Sequence, residues 1–139
     1  MIGHFVGPYR FLSNFFPAEI ELDGEIYPTV EAAFQARKTL DPDERAKIRV
    51  AKTPGVAKRL GRRVKLVPDW EKIKITVMTD LVRQKFTRHR ALAAELLATW
   101  DQKLVEGNTW RDHFWGVCDG YGLNWLGKIL MKVRDELRK

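Results

Sequence analysis

Cysteine is nearly absent from this chain: Cys118 stands alone among 139 residues. A disulfide framework is therefore excluded, and a buried thiol in a reducing compartment is the expectation. No activating partner for Cys118 shows in the sequence, so thiol nucleophilic chemistry is not expected. Histidine is also scarce. His4, His89 and His113 have no metal-ligand spacing among themselves or with Cys118, and neither a metal nor a redox cofactor is expected. Long apolar runs are missing too. Nothing approaches the roughly 18 residues of a membrane span, and the opening MIGHFVGPYR lacks the basic-then-apolar pattern of a secretory signal. A cytoplasmic protein without membrane association is the expectation. There is no repeat, linker or low-complexity stretch, so residues 1–139 read as a single domain. No glycine-rich run leads into Gly-Lys-Ser/Thr, which leaves ATP hydrolysis unsupported.

One further absence is local. From Arg45 to Lys65 there is no acidic residue, while Arg45, Lys47, Arg49, Lys52, Lys58, Arg59, Arg62, Arg63 and Lys65 supply positive charge. The whole chain carries a formal net charge of +7. Anionic partners are favoured at long range. The run reads either as a solvated helical face or as a phosphate-binding or nucleic-acid-binding wall.

The elements follow from pattern and punctuation. Asp23-Gly24 between two β-capable runs predicts a hairpin, with strands near residues 18–22 and 25–27. Thr29 caps a helix over about Val30–Leu40. Asp41-Pro42-Asp43-Glu44 has the form of a capping box ahead of a basic helix to about Ala51. Thr53-Pro54 opens another helix, which Gly61 is expected to stop. Pro68-Asp69 opens the longest helix, ending near Phe86, with Trp70, Ile73, Val77 and Leu81 on its buried face beside Met78 and Val82. A helix starting at Thr87 or Arg88 buries Leu92, Leu96 and Leu97. FWGVC reads as a short strand, and the last helix buries Leu126, Ile129, Leu130, Val133 and Leu137. The fold class expected is α+β: one mostly helical domain with a small antiparallel sheet built largely from the N-terminal third.

Three stretches could carry chemistry. In VEAAFQARK, helical spacing sets Glu31, Gln35 and Lys38 on one face, apart from Val30, Ala33 and Phe34. That face is either a solvent-exposed polar stripe or one wall of a pocket offering a carboxylate, an amide and an amine. In YRFLSNFF, Arg10 and Asn14 flank Phe11, a ring for stacking with a guanidinium and an amide beside it. In EGNTWRDHFWG, Trp110 and Trp115 surround Asp112 in a loop with Asn108 and glycines. Core packing is one reading of that loop, and a pocket for a flat polar ligand is the other. Glu31, Glu106 and Asp112 are the candidate carboxylates, since acids in aromatic, partly dry surroundings suit proton transfer.

The stretches FLSNFFP, DGEIYPTVEAAFQARK, TPGVAKRLGRR, PDWEKIKITVMTDLVRQKF, LLAT, LVEGNTWRDHFWG and GLNWLGKILMKVR, in this order, resemble the YbiA-like or NADAR (NAD- and ADP-ribose-associated) family from about Phe5 to Arg134. Two positions depart from the family's usual pattern: Ala32, where a histidine or bulky residue is usual, and Trp100, where glycine is usual. The resemblance implies an N-glycosidase that cleaves a ribose C1′–N bond. It implies either phosphoribosylamino-pyrimidine intermediates of riboflavin biosynthesis or ADP-ribose on guanine of nucleic acid as substrate. It assigns Glu31 and Asp112 as the acid/base and charge-stabilising pair, and Trp110 and Trp115 as walls for the base. Asn14 and Gln35, with Phe11, would orient sugar or base, and Arg10, Lys52, Lys58 and Arg59 would hold phosphate. It also implies a lysine amine that attacks C1′, for which Lys38 is the candidate. The partner expected is a small phosphorylated ribosyl–nucleobase-like substrate, or ADP-ribosylated nucleic acid. Two other readings are a non-catalytic binder of ADP-ribose or nucleotides, which has no use for Glu31 or Lys38, and a nucleic-acid-binding domain driven by the basic run.

Overall fold

The computed structural model describes residues 1–139. The fold is α+β and about half helical, with one two-stranded antiparallel sheet in the N-terminal third, as the sequence leads one to expect. Its contacts gather into two units: Asn14–Lys85, and Met1–Ser13 together with Phe86–Lys139.

The Asn14–Lys85 unit opens with the hairpin. Strands β1 (Ile20–Leu22) and β2 (Glu25–Tyr27) pair with Ile20 opposite Tyr27 and Leu22 opposite Glu25. Asp23 and Gly24 both take positive φ, which a two-residue turn matching the strands' twist requires. Ile20 and Tyr27 are buried, and the hairpin lies against α1 (Val30–Arg37). Thr29 caps α1 by accepting from the Ala32 N–H at 3.0 Å. Helix α1 also packs on α2 (Pro42–Arg49) and α3 (Pro54–Gly61). It is buried all along Val30–Ala36, so it is the central helix of this unit. Helix α4 (Trp70–Arg88) runs through the unit as far as Lys85. Its Trp70 ring meets Phe34 of α1 at 5.1 Å between centroids, and Met78, Leu81 and Val82 are buried. Gln84 on α4 pairs with the backbone of Glu21 in both directions, accepting at 2.6 Å and donating at 2.9 Å. That amide satisfies edge groups of β1 as another strand would.

The second unit holds a 3-10 helix (Gly7–Leu12), α5 (Arg90–Leu97) and α6 (Trp125–Leu137). Leu92 and Leu96 of α5 are buried, as are Leu126, Ile129, Leu130 and Val133 of α6. Arg134 of α6, itself buried, donates to the Thr99 hydroxyl and the Gln102 carbonyl, both at 2.9 Å, and so ties α6 to the turn after α5.

Several expectations are corrected. FWGVC forms no strand; its strand-like pairing is limited to the isolated bridges Gly107–Val117 and Cys118–Tyr121. Helix α1 stops at Arg37, three residues early, where the Lys38 N–H turns back to the Gln35 carbonyl in a tightened last turn. The expected capping box is half made. Asp41 accepts from the Asp43 and Glu44 N–H groups, but Glu44 accepts from Thr39 and the Lys65 N–H instead of returning to Asp41. Helix α4 begins at Trp70, because Asp69 sits at φ 62°, and it runs past Phe86 to Arg88. Gly7–Leu12 forms a 3-10 helix, an element for which no expectation was stated. Helix α3 ends at Gly61, as expected, with Arg62 as its C-cap; a Cβ at Gly61 would overlap the Gln35 side chain, so the glycine also permits close approach of α3 to α1.

Candidate active site

In the Asn14–Lys85 unit the polar face of α1 is not a solvated stripe. Glu31 is 7% exposed and Gln35 is 4% exposed. The Gln35 amide nitrogen lies 3.5 Å from a Glu31 carboxylate oxygen, one helical turn away. Its carbonyl oxygen Oε1 is buried with no hydrogen-bond partner in the protein. A buried acceptor in that state is a costly group, and a ligand donor would relieve the cost. The crossing at Gly61 forces the amide into this position.

Lys38 continues the same face and is half-buried, with its ammonium 5.8 Å from the centre of the Phe34 ring. Burial lowers its pKa below the ordinary lysine value; Glu31 opposes that shift, while Arg62, Lys58 and Lys74 add to it. Glu31 and three further cations thus lie within electrostatic reach of one amine. Asn14 reaches the wall from the preceding turn. Its carbonyl accepts from the Glu31 N–H at 3.1 Å, and its side chain contacts the Met78 sulfur at 3.4 Å. Of the expected phosphate ligands in this unit, Lys58 belongs to the Lys38 surroundings, whereas Lys52 and Arg59 are exposed. Arg62 was named from sequence only as a member of the basic run and Lys74 not at all; the packing of α3 and α4 around α1 brings both to Lys38.

In the other unit, Asp112 organises the tryptophan loop. One of its carboxylate oxygens accepts from the Phe114 N–H at 3.1 Å and the Trp115 N–H at 2.8 Å. Asn108, buried, braces the same turn by accepting from the Asp112 N–H and donating to the Asp112 carbonyl and to Glu106. The loop carbonyls of His113, Phe114, Trp115 and Gly116 then accept from the N–H groups of residues 123–126, satisfying the start of α6 where no side chain caps it. A side chain at Gly116 would overlap Glu106, which explains a glycine in FWG. Trp110 is 58% exposed and Trp115 half-buried, standing edge-on to Phe114 at 4.8 Å. Trp110 therefore offers a ring to solvent and is not core. Arg10 is exposed, but Phe11 is packed into the core and has little face left for a ligand.

No group of three or more His, Cys, Asp or Glu side chains is placed to hold a metal ion, and no helix is long and apolar enough to cross a membrane.

Comparison with known proteins decides the family. The chain matches the NADAR domain over residues 4–138. It belongs to the NADAR family. This NADAR domain is 46% identical over 132 residues to N-glycosidase YbiA of Escherichia coli strain K12, spanning 93% of this chain and 82% of that protein. It is 41% identical over 134 residues to a riboflavin biosynthesis protein of Vibrio vulnificus, spanning 94% of this chain and 36% of that one. The NMR structure of E. coli YbiA aligns with a TM-score of 0.85 at 42% identity, over 99% of this chain and 85% of that one. Within this NADAR domain, Ala32 is buried beside Glu31. Trp100 holds the left-handed backbone that favours glycine after a helix, at φ 54°, with its ring exposed and its carbonyl accepting from Arg138.

Proposed function

We propose that this protein is an N-glycosidase that hydrolyses a ribose C1′–N bond in phosphoribosylamino-pyrimidine intermediates of riboflavin biosynthesis. The observation that carries the reading is 46% identity over nearly the whole chain to a protein named N-glycosidase YbiA, joined by the likeness to a riboflavin biosynthesis protein. The buried Glu31–Gln35 pair supports it, because an acid beside an unsatisfied amide is a site prepared for a polar ligand.

In this reading Glu31 and Asp112 are the acid/base and charge-stabilising pair that C–N cleavage needs. Gln35 and Asn14 orient the sugar or base, and the Trp110 and Trp115 rings serve the flat base. The cations around Lys38 suit the phosphate; Lys58 sits among them, while Lys52, Arg59 and Arg10 are outer contacts. Lys38 has two candidate roles, a cation for phosphate and an amine for C1′. A phosphorylated metabolite of this kind suits an enzyme of the cytoplasm, which is where the proposal places the protein.

The exposed cations Lys52, Arg59, Arg62 and Arg63 favour a second reading, removal of ADP-ribose from guanine in nucleic acid. Mass spectrometry on the purified protein separates the two. It is offered the phosphoribosylamino-pyrimidine and, separately, ADP-ribosylated guanine DNA. Release of the pyrimidine is expected. Release of ADP-ribose alone would move the substrate to nucleic acid, and no release from either would end the N-glycosidase reading.

A further inference from the structure

Gln84 fixes which way the backbone groups of the hairpin point. The Glu21 N–H donates to the Gln84 side chain and the Glu21 carbonyl accepts from it, so both face away from β2. Glu21 stands opposite Ile26. In an antiparallel pair, two facing residues either exchange both bonds or turn both groups outward. The Ile26 N–H and carbonyl therefore point away from β1, along the other edge of the hairpin. No further strand pairs there, and neither group has a hydrogen-bond partner in the protein. The Ile26 side chain is itself 39% exposed. Gln84 closes the β1 edge, whereas the β2 edge is open to a pairing strand.

Beside that edge, between β2 and α2, lies a cavity of about 210 Å³. Glu25 and Tyr27 line it from the face of β2 opposite to Ile26. Arg45 and Arg49, one turn apart on α2, line it from the other side. Arg45 gives Nη1 to Asp23 at 2.7 Å and Nε to the Thr39 carbonyl at 2.8 Å, while its Nη2 is buried without a partner. An acceptor that lets Arg45 turn Nη2 into the cavity would relieve that cost. Arg49 has Glu25 at 3.7 Å, beyond hydrogen-bond length. Asp23 and Glu25 are both exposed. Burial raises the Tyr27 pKa, and Arg45 and Arg49 oppose the shift, so a protonated hydroxyl lies within electrostatic reach of both guanidiniums. Leu40, exposed, and Pro42 add an apolar rim.

We propose that the β2 edge and this cavity form a docking site for an extended, acidic peptide segment of another protein, which pairs with Ile26 and places a carboxylate in the cavity. The register follows from the strand period of two. The segment's residue facing Ile26 points to the same side as the Ile26 side chain. Its two neighbours face Glu25 and Tyr27, and so project into the cavity toward Arg45 and Arg49. Guanidinium forks select a carboxylate there, and Leu40 and Pro42 cover its methylene stem. The cavity is smaller than the roughly 300 Å³ at which pockets for drug-sized ligands begin, and suits single side chains. A net charge of +7 favours an acidic partner over a second copy of this chain, which carries the same charge. The inference does not depend on the N-glycosidase reading.

The test is a titration of the isotopically labelled whole chain with the capped pentapeptide Thr-Glu-Val-Glu-Thr, whose side-chain order is the same in either direction. Amide and guanidinium signals are followed by NMR up to about 5 mM peptide. The Ile26 amide is expected to shift and its hydrogen exchange to slow, with the Arg45 and Arg49 side-chain signals moving alongside. Thr-Lys-Val-Lys-Thr, and the acidic peptide N-methylated at its valine, are each expected to bind at least about tenfold more weakly. Arg49→Gln, at an exposed position, is expected to weaken the acidic peptide by about fivefold. Inorganic phosphate and glutarate are titrated in parallel, and light scattering reads the mass of the free protein. An Ile26 amide that the acidic peptide leaves unmoved overturns the proposal, and with phosphate or glutarate moving the two arginines it would make the cavity a small-anion site. Equal binding of the lysine peptide overturns the choice of an acidic partner. A dimer that Ile26→Lys dissociates would give the edge to a second copy and overturn it as well. The titration of wild-type protein needs no variant, so a poorly folding one does not protect the inference.

Discussion

At the scale of single residues, Lys85 is a lysine held at 1% exposure. Its pKa is about 7 against an ordinary 10.5, because burial penalises the charged amine. Between those values the unfolded chain binds more protons than the folded one, so this group makes stability rise with pH. The full penalty is present below about pH 7 and is gone above 10.5. Lys85→Met is therefore expected to be more stable than wild type at neutral pH, with an advantage that shrinks as the pH approaches about 10. Urea midpoints for the two proteins across that range check it; a constant difference would mean that the amine is not held neutral. Lys85 was hidden in the sequence because VRQKF reads as a charged patch on a helix, and only the packed α4 shows the lysine facing inward. Glu31 was legible as a candidate from its spacing to Gln35 and Lys38. Its burial was not, because the same spacing describes an exposed stripe, and the choice depends on α3 approaching α1.

At the scale of elements, that approach depends on Gly61. A methyl group there would overlap the Gln35 side chain of α1. Gly61→Ala gains up to about 1 kcal/mol of helix propensity, yet is expected to lose about 1–3 kcal/mol net through the displaced crossing. It is also expected to raise KM by moving Gln35. A chemical denaturation curve and a Michaelis–Menten series measure the two effects; a stabilised variant with unchanged KM would contradict the packing argument. Most elements were legible where a side chain punctuates the chain. Thr29, Asp41 and Thr53 mark helix starts, and Asp23-Gly24 marks the hairpin. The one expected element that did not form, the FWGVC strand, lies in residues 104–124. That loop is held by Asn108, Asp112 and Asn124 bonding to backbone groups and by glycines that let chains touch, and neither leaves a hydrophobic period to read.

At the scale of the whole molecule, the net charge of +7 makes a salt titration informative. Binding to generic duplex DNA is expected to fall by orders of magnitude between about 50 and about 200 mM salt, since many phosphates would be contacted. Turnover of a single-phosphate metabolite is expected to fall only a few-fold over the same range. Parallel steep losses in both would place the substrate on nucleic acid. The family was readable from the ordered stretches of sequence, and the comparisons agree over residues 4–138. The central claim is that this chain breaks a ribose C1′–N bond using the buried Glu31. The measurement that tests it most directly is kcat/KM for pyrimidine release from the phosphoribosylamino-pyrimidine by wild type and by Glu31→Gln. Measurable release by wild type with a loss of at least about a hundredfold in Glu31→Gln is the expected result. Equal rates for the two proteins, or no release by wild type, would contradict the account.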